Sequence, residues 1–116
     1  MDQEQLNREL LEAAMRGDTK SVEDLVARGA NVNYKGRFGQ SPLFMASMNG
    51  HTETVSRLVD LGAVIDVKDN WGRSPLFVAS RWGHTETVSR LVDLGADIDV
   101  KDNDVCFYLT DLCVYH

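Results

Sequence analysis

The 116-residue sequence has no apolar run near the roughly 18 residues that a membrane-spanning helix needs, so no span is expected. It has only two cysteines, Cys106 and Cys113, both in its last eleven residues. A disulfide framework needs more, and no histidine set stands beside them to complete a zinc site. The expected setting is therefore a reducing one, cytoplasmic or nuclear. Basic charge is also short: 12 Lys and Arg stand against 18 Asp and Glu, a net charge of −6. A general nucleic-acid binder shows the opposite balance, so none is expected. The acids are spread along the chain and do not form an acidic tail. The opening MDQEQLNREL lacks the basic-then-apolar layout of a secretory leader. There are only two prolines, each preceded by serine: Ser41-Pro42 and Ser74-Pro75.

What is present is repetition. Gly39 to Trp71 reads GQSPLFMASMNGHTETVSRLVDLGAVIDVKDNW, and Gly72 to Asp104 reads GRSPLFVASRWGHTETVSRLVDLGADIDVKDND. The two differ at six positions. A further step back of 33 residues gives a worn copy, 6–38, whose apolar residues stay in phase. Leu10, Ala13, Val22, Leu25, Val26, Ala30 and Val32 match Leu43, Ala46, Val55, Leu58, Val59, Ala63 and Ile65. The last copy supplies Leu76, Ala79, Val88, Leu91, Val92, Ala96 and Ile98. A period of this length implies stacked units that cannot bury their apolar faces alone and share a core with their neighbours. With 43% hydrophobic residues, one small domain over 1–116 is expected.

Within a unit, Ser-Pro starts a short helix: serine caps free N–H groups and proline at the first helical position needs no partner. This helix should end near Gly50 or Gly83. Thr52 and Thr85 are expected to cap a second helix, with Val55, Leu58 and Val59 on one face, closed by Gly62 and Gly95. The following stretch reads as an extended turn into the next unit.

Ser-Pro-Leu-Phe, Gly-His, Val-Ser-Arg-Leu-Val and Gly-Ala-x-Ile-Asp, in that order and at that period, resemble the ankyrin repeat over 99 of 116 residues. The resemblance implies a mainly α solenoid of stacked helix-turn-helix units with extended, β-turn-like connections. It divides the chain into an N-terminal, cap-like repeat (6–38), two full repeats (39–71 and 72–104) and a degenerate end (105–116). Phe44 and Phe77 depart from the family's histidine, and Ser47 and Ser80 from its second alanine. The histidine change exchanges a hydrogen bond between units for apolar packing. The first copy lacks Ser-Pro-Leu-Phe and carries Asn7, Arg8 and Glu9, which suits an end unit facing water.

The family is generally non-catalytic and binds other proteins with its turn tips and the exposed side of each first helix, which line a concave face. The differences between the two full copies are Gln40/Arg73, Met45/Val78, Met48/Arg81, Asn49/Trp82, Val64/Asp97 and Trp71/Asp104. All but the 45/78 and 64/97 pairs fall where family members touch partners. With Arg37 and Phe38, these give the expected partner-binding residues Arg37, Phe38, Gln40, Met48, Asn49, Trp71, Arg73, Arg81, Trp82 and Asp104. Trp and Arg are enriched at binding hot spots, and methionine adds adaptable apolar contact. Two plainer readings stand beside this one. Surface positions tolerate change in any case, and each tryptophan could pack on its neighbouring unit. Met45 is expected to be partly buried. The expected partner is a protein or peptide segment with apolar anchors and some acidic character, with no cofactor or metal and no role for nucleic acid or membrane.

Chemistry finds little support. His51 and His84 lie one unit apart, about 10 Å for packed helices, too far to share a metal, and both read as structural. Asp66, Asp69, Asp99 and Asp102 are repeated turn residues with no fixed partner for acid–base work. No phosphate-binding loop, nucleophile motif or zinc spacing occurs. The resemblance marks Asn33 as a turn asparagine of the kind that asparaginyl hydroxylases modify. At the end, VCFYLTDLCVYH breaks the repeat. It reads as an improvised cap, with a disordered tail or a self-associating surface as rivals. A monomer is the favoured state, and the alternative function is a structural or self-associating domain acting through 105–116.

Overall fold

Serine-proline pairs start two helices as the sequence implies. The computed structural model describes residues 2–98, and among these it contains six helices and no strand. They are α1 (Gln3–Arg16), α2 (Thr19–Ala27), α3 (Pro42–Met48), α4 (Thr52–Asp60), α5 (Pro75–Arg81) and α6 (Thr85–Asp93). Ser41 and Ser74 accept from Phe44 N and Phe77 N at 3.1 Å, with proline in the first turn. The expectation for the second helices needs correction. Thr52 and Thr85 do not cap them; His51 and His84 hold the cap positions and make no side-chain cap bond. The threonines fall just inside, and Thr52 turns its hydroxyl sideways to Thr87 Oγ1 at 2.7 Å. Thr19 and Thr54 make the same bond one unit earlier, at 2.8 Å. Thr87 and Thr54 are buried, so tying hydroxyls across the unit boundary satisfies groups that would otherwise be costly.

First helices pack on first helices (α1 on α3, α3 on α5) and second helices on second helices (α2 on α4, α4 on α6). All the in-phase apolar residues of the three copies join the main core or pack against it, except Ile98, which is 40% exposed. Each fully buried leucine or valine contributes about 1.5–3 kcal/mol. A second, smaller cluster lies among the first helices: Phe44, Met45 and Val78, with Leu11, Met48 and Phe77 packed on it. Phe44 is fully buried, in line with the exchange of a polar histidine for apolar packing. Met45, expected to be partly buried, is 7% exposed and belongs to this cluster, because α1 and α5 close over both flanks of α3.

The first unit, 6–38, opens on a longer helix: α1 is twice as long as α3, at 14 against 7 residues. Its extra turns supply what a preceding unit would. Between later units, Asn33 donates to Gly62 O at 3.2 Å and accepts from Val64 N at 2.8 Å. One unit earlier the equivalent groups are Gly29 O and Asn31 N. Gln3 Nε2 donates to the first at 2.8 Å, and Asn7 Oδ1 accepts from the second at 2.7 Å.

Candidate functional site

The turn between the second and third units, 67–73, is built around one carboxylate. Asp69 Oδ1 accepts from Trp71 N at 3.0 Å and Arg73 N at 2.8 Å, and Oδ2 accepts from Arg73 Nε at 2.8 Å. A second guanidinium nitrogen stands 2.8 Å from Oδ2, and the Asp69 side chain is fully buried. Gly72, at φ 77°, closes the turn with its N–H on Asp69 O. Bound in this way, Arg73 lies between two rings: its Cζ is 5.6 Å from the Phe44 centroid and 5.3 Å from that of Trp71. Such contacts are worth about 0.5–2 kcal/mol, rising as water is excluded. Trp71 in turn meets Phe38 of the preceding tip, with centroids 5.6 Å apart and planes inclined by 35°. The tips are also joined through Asn70 N to Phe38 O at 3.0 Å.

At the other end of the first helices lies a groove of about 350 Å³ lined by Met48, Asn49, Trp82 and His84. His84 Nε2 hydrogen-bonds Met48 O at 2.9 Å; the carbonyl requires this nitrogen to donate. Asn49 donates its side-chain amide to Met45 O at 2.9 Å, so the end of α3 is tied down. Trp82 sits at the cap of α5. It is 64% exposed and Trp71 is 63% exposed.

Two groups of predicted residues therefore form. Phe38, Trp71 and Arg73 meet at the tips, while Met48, Asn49 and Trp82 meet in the groove. The small apolar cluster links them, since Arg73 lies over its Phe44 and Met48 packs on it. Arg37 is exposed at its tip, Gln40 is half-buried with its carbonyl accepting from Gly36 N, and Arg81 is exposed at the end of α5. Asp104 and the whole of 105–116 lie outside the described residues, as do Asp99 and Asp102. Asn33 is half-buried, with its amide engaged by the next unit at both ends.

Sequence reasoning overlooked Asp69, taken only as a repeated turn residue, and gave His84 no place in a groove. A signal for Asp69 exists in the repeat alignment. The first tip has Gly36 and Gln40 where the second has Asp69 and Arg73, so the acid and its arginine are lost together. His51 repeats the His84 bond, from Nε2 to Met15 O at 2.9 Å.

No helix among the described residues is long and apolar enough to cross a membrane. Comparison with known proteins gives one family match: the model for ankyrin repeats (3 copies) matches residues 10–102. No curated protein matches the chain.

Proposed function

The chain belongs to the ankyrin-repeat family, whose members are generally protein–protein interaction modules, and from that premise we propose that it binds a partner polypeptide along the flank running from the Phe38–Trp71–Arg73 tips to the Trp82 groove. One observation carries the reading. Above the shared core two tryptophans remain about two-thirds exposed: Trp71 stands against Phe38 and Arg73, and Trp82 lines the groove with Met48, Asn49 and His84. A rigid, amphipathic ring of this kind gives large contact area while losing little side-chain entropy. Trp71 touches the preceding unit, as the plainer reading held, yet most of its surface still faces solvent.

The same reading makes the chain non-catalytic, as the family typically is. His51 and His84 are engaged with backbone carbonyls, and Asp69 is consumed in the tip. These groups serve the scaffold.

The test is capture from a cell extract by three forms of the full chain: wild type, Trp71→Ala/Trp82→Ala, and Glu53→Ala/Glu86→Ala on the second helices. Hot-spot truncation costs about 2 kcal/mol per residue, roughly thirty-fold in affinity. A genuine partner is expected to stay with the glutamate variant and be lost from the tryptophan variant, with circular dichroism unchanged in both. Equal retention by the tryptophan variant would place the binding surface elsewhere.

A further inference from the structure

Charge is distributed against the chain's overall sign. Each second helix carries two carboxylates and one base: Glu23 and Asp24 with Lys20 on α2, Glu53 and Asp60 with Arg57 on α4, Glu86 and Asp93 with Arg90 on α6. The two described tips are the reverse. Residues 34–40 and 67–73 hold Lys35, Arg37, Lys68 and Arg73 against one acid, Asp69. That acid is fully buried and committed to Arg73. Lys35, Arg37 and Lys68 are exposed and have no carboxylate within the tips to offset them. Lys35 Nζ reaches across to Lys68 O at 3.2 Å, which sets its ammonium at the seam between the units. A chain of net charge −6 thus presents a cationic ridge interleaved with Phe38 and Trp71, continuing toward the apolar groove at Trp82.

We propose that the flank takes an acidic segment bearing an apolar anchor: its carboxylates lie along the Lys35–Arg37–Lys68 ridge and the anchor enters the groove beside Trp82. This rests on the flank being the binding surface, and it adds the chemistry of the partner. Charge complementarity selects the occupant. The cationic ridge across the two described tips suits a short run of carboxylates, while the acidic second helices repel a long polyanion that would spread beyond it. The fold also sets a spacing. Ridge and groove lie at opposite ends of α5, whose seven residues rise roughly 10 Å at 1.5 Å each. An extended peptide covers that in about three residues at 3.3 Å each. Allowing for side-chain reach, the nearest carboxylate and the anchor should be about three to five positions apart.

The experiment is selection of random twelve-residue displayed peptides on the full chain, followed by synthesis of the enriched peptides and titration against tryptophan fluorescence. Three proteins are compared: wild type, Lys35→Glu/Arg37→Glu/Lys68→Glu, and Trp71→Ala/Trp82→Ala, the last by anisotropy of labelled peptide. The expected result is net-negative peptides with an apolar residue three to five positions from an acid. Their affinity should fall about tenfold or more in the charge-reversed protein, and markedly between low and 0.5 M salt, roughly where screening shortens to a few ångströms. Enrichment of neutral or basic peptides that still depend on the tryptophans would overturn this inference and leave the flank intact. Peptides that bind the tryptophan variant as well as wild type, or no enrichment at all, would remove the flank and the inference together. A single-stranded oligonucleotide of matched charge serves as the rival; binding as tight as that of the peptides would show the ridge to be a general polyanion site and overturn the polypeptide assignment.

Discussion

Ser47 and Ser80 occupy the same place in two nearly identical units, yet their hydroxyls fare differently. Ser80 Oγ donates to Leu76 O at 2.9 Å, whereas Ser47 Oγ is buried with no hydrogen-bond partner. An unsatisfied buried hydroxyl costs about 1–3 kcal/mol, while a made hydrogen bond nets about 1. Alanine is also the better helix former by a few tenths of a kcal/mol. Ser47→Ala is therefore expected to raise unfolding free energy by about 1 kcal/mol, and Ser80→Ala to leave it within about 0.5, as read from urea denaturation. Asp18 gives a residue-scale prediction in pH. Its carboxylate accepts from Ser21 Oγ at 2.7 Å and Ser21 N at 3.1 Å, capping α2. These bonds favour the charged form, the side-chain bond most, and hold the carboxyl below its ordinary 3.8. A depressed carboxyl adds stability that is present above the unfolded value and is lost as pH falls through the folded one. Between about pH 5 and pH 2 the wild type should thus lose more stability than Asp18→Asn, whose cap does not titrate.

At the scale of the element, what matters is where one unit presses on the next. Gly50 has φ 74°, and a Cβ there would overlap the His84 imidazole; Gly17 stands in the same relation to His51. Gly29 also has a positive φ, 109°, but a Cβ there would meet nothing within 4 Å among the described residues. Left-handed backbone alone costs a side chain about 1–2 kcal/mol. Gly29→Ala should therefore cost about 1 kcal/mol, and Gly50→Ala about 3 or more, since it also displaces the ring that binds Met48 O. Thermal unfolding of the pair separates conformational strain from lost contact between units. The Gly-His words were legible in the sequence as structure. What was not legible is that glycine and histidine act across the boundary, each glycine vacating space for the next unit's ring. Likewise the Ser-Pro helix starts follow from local chemistry, while the role of Thr52 is not legible locally because its hydroxyl partner, Thr87, is 35 residues away.

Over the whole molecule, the 33-residue period makes the stack extensible. Inserting a second copy of 39–71 between Trp71 and Gly72 keeps the period and the repeated apolar residues in phase, although the new junction sets Gln40 in the place of Arg73 after Asp69. The enlarged chain should unfold at higher denaturant concentration, with an m-value about one-third larger, because stability in such arrays sums over units and interfaces and m follows the buried surface. An unchanged m-value would mean that the added unit does not join the cooperative stack.

The sequence by itself determined the number of units, the Ser-Pro helix starts and the glycine stops, and the apolar residues that share a core, because all of these recur with the period and depend on local chemistry or on a face repeated in every copy. Only the tertiary structure decided how identical residues differ. Phe44 and Phe77 are spelled alike, yet Phe44 is fully buried and Phe77 half-buried, since α3 has first helices on both sides and α5 packs on one among the described elements. It also decided that Asp69 locks Arg73 between Phe44 and Trp71, and that Trp82 opens over Met48. A repeat pattern states which residues return; what each one meets is set by its neighbour in the stack, and the neighbours are not the same.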